Sequence, residues 1–91
     1  MYYVYILRSM RDGMLYTGYT DDVDRRLKEH NHGYNLSTAR RKPFVLIYQE
    51  EYSSKEDASR REKFLKSGQG RKQLKVLFAG GNVRKLAYGE R

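Results

Sequence analysis

The 91-residue chain contains no cysteine, no tryptophan and a single proline, Pro43. Without cysteine there is neither a disulfide framework nor a thiolate metal site, which fits a reducing cytoplasm. No stretch approaches the roughly 18 apolar residues of a spanning helix, and the start lacks the charged-then-apolar layout of a secretory signal. The expected protein is therefore cytoplasmic, without a membrane partner. Acidic residues are also scarce: 11 Asp and Glu face 19 Lys and Arg, a formal charge of +8. On so small a body that potential suits a polyanion, although charge taken alone serves solubility equally well. A chain of this length feeds one core, so residues 1–91 are expected to form one domain, with 79–91, which has no clear period, as a loosely packed tail.

What the sequence has in plenty is tyrosine. Of its nine, Tyr2, Tyr3, Tyr5, Tyr16 and Tyr19 fall within the first 20 residues, and every buried phenol needs a hydrogen-bond partner. The runs "YYVYILRS" (2–9) and "LYTGYT" (15–20) are rich in β-branched and aromatic residues and flank Asp12-Gly13, a strong hairpin signal. A two-residue turn centred there pairs Leu7 with Gly18 and Tyr5 with Thr20, and puts Tyr3, Tyr5, Tyr16 and Gly18 on one face.

Thr20, Asp21 or Asp22 then caps a helix that ends at Gly33, with Val23 and Leu27 as its few apolar positions. Arg26 and His30 complete that stripe, so half of its inward edge is polar. After a loop with the basic cluster Arg40, Arg41 and Lys42, Pro43 precedes the clearest strand, "FVLIYQEEY" (44–52). Ser53 with Glu56, or Ser54 with Asp57, opens the next helix, which Gly68 is expected to end; a last helix begins near Arg71. The order β-β-α-β-α-α predicts an α+β fold, a small three-stranded antiparallel sheet flanked by helices.

Two features stand out chemically. Glu62 shares a stripe with Ala58 and Leu65, where an apolar residue is expected. It is either ion-paired to an arginine at the edge of the core or a hard-cation ligand. Arg26 and His30 stand i, i+4 beside Tyr16 and Gly18, either as an ordinary ion pair and a helix-end histidine or as a phosphate-binding, proton-handling edge. The tripeptide His30-Asn31-His32 is better read as a helix end than as a metal site, because adjacent helical residues do not face one ligand.

In order and spacing these elements resemble the GIY-YIG endonuclease superfamily over roughly residues 2–78. "YVY" (3–5) and "YTG" (16–18) stand at the two signature tripeptides, "DVDRRLKEH" resembles the arginine helix, and "REKFLK" resembles the segment with the metal-binding glutamate. More narrowly, the chain is similar to the short stand-alone bacterial members and to the N-terminal nuclease domain of the excision-repair endonuclease. The resemblance implies a metal-dependent endonuclease that hydrolyses DNA phosphodiesters, structure- or damage-selective and linked to repair or recombination. Tyr16 would take a proton from the attacking water or orient it, Tyr5 would align it, and Gly18 would leave room for the nucleic-acid backbone. Arg26 and an Mg²⁺ or Mn²⁺ ion held by Glu62 would favour the phenolate and stabilise the extra charge on phosphorus, with His30 as the alternative proton carrier.

Tyr3 and Thr17 depart from the signature, Tyr19 stands where excision-repair relatives carry lysine, and Asn82 lacks the context of the family's late asparagine. Larger members add DNA-binding domains; here the expected phosphate contacts are Arg40, Arg41, Lys42, Arg61, Lys66 and Arg71, with a protein partner as a further route to targeting. DNA is the expected substrate, and these residues do not discriminate it from RNA. The alternatives are a non-catalytic nucleic-acid-binding module that retains the nuclease fold, and a small basic protein that binds an acidic protein surface.

Overall fold

A computed structural model describes residues 1–36 and 38–78; the expected tail and Asn82 lie outside the described residues. The elements are β1 (Tyr2–Ser9), β2 (Leu15–Thr20), α1 (Val23–Asn31), β3 (Phe44–Tyr52), α2 (Lys55–Lys66) and α3 (Gly68–Leu77), with a short 3-10 turn, Ala39–Arg41, before β3. The predicted order and the α+β class hold. The sheet is antiparallel in the order β2-β1-β3, so β1 is central and β2 is an edge.

The hairpin register differs from the expectation. Tyr5 pairs with Gly18 and Leu7 with Tyr16, because the connection is a four-residue loop rather than a two-residue turn. Buried Ser9 causes this: its hydroxyl accepts the Arg11 and Asp12 amides, its carbonyl accepts from Gly13 N at 2.9 Å, and its own amide donates to Met14 O at 2.9 Å. Gly13 takes the positive φ (74°) that closes the loop. The slip amounts to two residues in the pair sum, so alternation is preserved and Tyr3, Tyr5, Tyr16 and Gly18 still share a face.

Both faces of β1 are covered. On one side Tyr5, Leu7, Phe44 and Val23 pack with Tyr3, Tyr16 and Leu27 beneath α1. On the other Val4 and Ile6 pack with Ala58, Leu65, Leu74 and Phe78 from α2 and α3. A bulge opposite Ile6/Leu7 shifts the β1–β3 register. One extra residue reverses the alternation of a strand, so Phe44 faces α1 whereas Tyr48, Glu50 and Tyr52 face α2.

The helix caps follow local chemistry. Asp22 accepts the Arg25 amide at 3.0 Å, and Ser54, the second of the two expected caps, accepts the Asp57 amide at 3.1 Å. The helix-end reading of His30-Asn31-His32 holds: His30 points inward, His32 is exposed, and the Asn31 side chain bonds both backbone groups of Phe44 (2.6 and 3.0 Å), tying α1 to β3. Gly68 does not end a helix. Ser67 ends α2 and caps α3 by accepting the Gly70 amide, so α3 starts at Gly68 rather than near Arg71. Gly70 makes this tight corner possible, since a Cβ there would lie 2.1 Å from Phe64 O.

Candidate active site

The cleft opens at the β2 edge, where α1 closes over one face of the sheet and α2 over the other. Tyr5, Tyr16, Gly18, Arg26 and Glu62 line it together with Lys55. Four elements thus supply five of the residues singled out from sequence.

Tyr5 is fully buried on the central strand, and its ring lies across Gly18. A Cβ at Gly18 would meet the Tyr5 hydroxyl at 2.5 Å and Cζ at 2.8 Å. Glycine is therefore required here by the tyrosine itself, whatever else approaches. The Tyr5 hydroxyl lies 3.2 Å from His30 Nε2 and accepts from the Arg26 guanidinium. Burial pushes the phenol up to about 12 against the pull of Arg26, so it is uncharged at neutral pH.

His30, expected at the inward edge of α1, is wholly buried, so the reading as a surface helix-end histidine fails. Tyr16 meets its ring edge-on at 4.8 Å, Phe44 at 5.8 Å, and His30 Nδ1 lies 2.7 Å from Thr38 Oγ1. Desolvation, reinforced by Arg26, holds the imidazole below its ordinary value and neutral. Arg26 donates to Glu29 at 2.8 Å and keeps about a third of its side chain exposed toward the cleft.

Glu62 is 12 % exposed and pairs with Lys66 at 2.5 Å, one turn along α2, rather than with an arginine. The Lys66 ammonium also lies 5.8 Å from the Tyr16 ring centre. Among the described residues no group of three or more His, Asp or Glu is placed to hold a metal ion. One carboxylate with an open cleft in front of it does suit Mg²⁺, which keeps several waters and takes phosphate oxygens as ligands.

The remaining predicted residues are not in the cleft. Arg61 forks onto Glu50 (2.9 and 3.0 Å) on the β3 side of α2. Arg41 donates to Asp12 at 3.2 Å and to Leu15 O at 3.3 Å and lies 5.5 Å above Phe44, tying the hairpin loop down. Arg40 and Lys42 are exposed beside it. Arg71 lines a separate, more apolar groove with Arg8, Lys66, Lys75 and Leu74. Thr38, Lys55 and Arg25 were not picked out from sequence. Nothing local marks Thr38, whereas Arg25 stands next to Arg26 and Lys55 opens α2 beside the cleft.

A profile of the GIY-YIG catalytic domain matches residues 1–75. The chain belongs to the GIY-YIG family. It is 44% identical over 77 residues to a UPF0213 protein of Staphylococcus haemolyticus, covering 84% of this chain and 93% of that one. A UPF0213 protein of Staphylococcus saprophyticus is 39% identical over 80 residues, or 87% and 96% of the two chains. The solution NMR structure of a UPF0213 protein from Bacillus halodurans is 45% identical, covers 88% of each chain and superposes with a TM-score of 0.51. Among the described residues no helix is long and apolar enough to cross a membrane.

Proposed function

We propose that this GIY-YIG protein is a metal-dependent endonuclease that hydrolyses DNA phosphodiester bonds at structural irregularities or damage, in a cytoplasmic repair or recombination role. The observation that carries the reading is the convergence of Tyr5, Tyr16, Gly18, Arg26 and Glu62 in one edge cleft from two strands and two helices. A scissile phosphate in that cleft meets Arg26, a permanently charged planar donor. A water oxygen attacks phosphorus as the bond to the leaving sugar oxygen breaks. Tyr5 and Tyr16 orient that water, and the proton it loses passes into the tyrosine–histidine cluster. Arg26 also meets the charge gained by the phosphoryl oxygens. Glu62 would hold Mg²⁺ or Mn²⁺, which supplies positive charge at the phosphate and the leaving oxygen.

Affinity then comes from exposed cations. Arg40, Lys42, Lys66 and Arg71 remain phosphate contacts in this reading, with a protein partner as a further source of targeting, and no element here is shaped to read base edges. A second reading, a nucleic-acid-binding module without turnover, is favoured by one observation: Lys66 already neutralises Glu62.

Nicking of supercoiled plasmid and of flapped or branched DNA with Mg²⁺ or Mn²⁺ decides between them. The intact protein is expected to cut, and Glu62→Ala and Tyr16→Phe to lose at least about a hundredfold in rate. Equal DNA binding by all three with no cutting, even with manganese, leaves the binding module.

A further inference from the structure

The loop between α1 and β3 reads in sequence as a basic connector. Thr38 within it is wholly buried, makes the N-cap of the 3-10 turn, and bonds the His30 ring at 2.7 Å. The direction of that hydrogen bond follows from the donors and acceptors around it.

Four groups form a line: the Arg26 guanidinium, the Tyr5 hydroxyl, the His30 imidazole and the Thr38 hydroxyl. Arg26 can only donate. Tyr5 has one proton, and among its described partners His30 Nε2 is the acceptor within reach. At the far end, the Thr38 hydroxyl donates to Asn35 O at 3.4 Å, in the turn where the Thr38 amide donates to the same oxygen at 3.1 Å. With that proton committed, Thr38 Oγ1 accepts from His30 Nδ1–H. Every hydrogen then has a place and every step runs the same way, from Arg26 toward Asn35. In the opposite tautomer Nε2–H donates to Tyr5, and the Tyr5 proton is left without a described acceptor. A buried hydroxyl in that position is costly.

We propose that Thr38 is a positioning residue of the cleft: it holds His30 in the Nδ1–H tautomer and so turns the Nε2 lone pair toward the Tyr5 phenol. The neutrality of both Tyr5 and His30 at physiological pH supports this, since the line then carries one ring proton and no imidazolium. The Tyr5 proton points inward to His30, and its oxygen faces Arg26 and the cleft as an acceptor. A water there gives a hydrogen bond to Tyr5 rather than taking one. The tautomer stands independently of the nuclease reading, whereas its effect on turnover rests on it.

The test is long-range ¹H–¹⁵N correlation of histidine-labelled full-length protein at neutral pH, with His32→Gln to assign the two rings. His30 is expected to show a protonated, pyrrole-type Nδ1 and an unprotonated Nε2. Thr38→Val, which removes the acceptor at similar volume, is expected to shift the ring toward the Nε2–H form, and Thr38→Ser to restore Nδ1–H. An Nε2–H ring in the unaltered protein, or a Thr38→Val ring that keeps the Nδ1–H form, overturns the proposal. Should Thr38→Val not fold, the unaltered protein and Thr38→Ser still decide. In the nicking assay Thr38→Val is expected to lose about 10- to 100-fold, the usual cost of losing an imidazole-orienting group, and Thr38→Ser to recover most of it. An unaltered protein that shows the Nδ1–H ring yet never cuts sinks the nuclease reading and leaves the tautomer assignment intact.

Discussion

The two faces of β1 each bury a polar network built on tyrosine hydroxyls, and the networks end differently. On the α2 side Glu50 is 5 % exposed and accepts from Tyr52 at 2.7 Å, from Tyr48, and from both arms of Arg61. Burial raises the Glu50 carboxyl, but the donors from Arg61, Tyr48 and Tyr52 outweigh it and hold the group below its ordinary range. On the α1 side the Tyr5–His30–Thr38 line is uncharged and terminates in the cleft beside Arg26 and Gly18. A charge whose every lone pair is occupied makes a fixed strut. A neutral titratable pair with one end at an opening is where a proton can be exchanged.

The largest effect should come from breaking the strut. Arg61→Ala leaves the Glu50 carboxylate buried with only phenol donors, and the expected loss is about 3 kcal/mol, the lower end for an orphaned buried charge because Arg61 itself is partly exposed. Urea unfolding measures it, and DNA affinity of the folded fraction should be little changed. A variant that keeps its stability but binds DNA poorly would move Arg61 into the nucleic-acid surface and erase the contrast between the faces.

Gly18→Ala should cost about 1–3 kcal/mol, the usual penalty for overpacking, because the new methyl meets the rigid end of a buried ring. It should also lower nicking by displacing Tyr5 from His30. In a Tyr5→Phe background the nearest clashing atom is gone, so part of the stability cost should return. Equal penalties in both backgrounds would mean that the glycine serves something other than the tyrosine.

Acid separates the networks by window. His30 is held below its ordinary value of 6.5, so as pH falls below 6.5 the unfolded chain binds a proton that the folded one refuses. Stability therefore declines from that point, by at most about 1.4 kcal/mol per pH unit for one group. Glu50 is depressed, so its contribution is present above 4.5 and is lost as pH falls through its lower folded value. Urea midpoints at pH 7, 6 and 5 should slope in the unaltered protein and flatten over that range in His30→Gln, with the steeper acid loss below 4.5 retained. A slope unchanged by His30→Gln would assign the proton elsewhere.

Much of this arrangement is legible in the sequence, for physical reasons that can be named. Alternation in β1 and β2 places Tyr5, Tyr16 and Gly18 on one face, and a register error of two leaves that inference intact, as parity survives an even slip. Helical spacing finds His30 and Glu62 as polar residues at inward positions. Alternation fails in β3, where the bulge sends Phe44 and Tyr48 to opposite faces although both are even-numbered. Pairings set by tertiary geometry stay hidden: Glu50 with Arg61, Lys66 rather than an arginine on Glu62, and Thr38 on His30. The Ser67 cap was equally invisible because Gly68 and Gly70 read as breakers, and only the close approach at Gly70 shows why a glycine opens a helix there.

The smallest effects should come from the basic cluster before β3, and they test whether neighbouring cations do the same work. Arg40 and Lys42 are exposed, so Arg40→Ala or Lys42→Ala should leave stability within about 0.5 kcal/mol. If either touches a phosphate, the log–log salt slope of DNA binding should become shallower by about 0.9 per contact. Arg41 should behave in the opposite way. Its guanidinium is already engaged by Asp12, Leu15 O and the Phe44 ring, so Arg41→Ala removes a tie on the hairpin loop and costs about 0.5–1 kcal/mol. The salt slope should stay unchanged, because a cation spent on the fold releases no counterion when DNA arrives. A shallower slope for Arg41→Ala would show that the loop gives up its tie on binding, and that the β1–β2 loop end of the sheet belongs to the nucleic-acid surface as much as the cleft does.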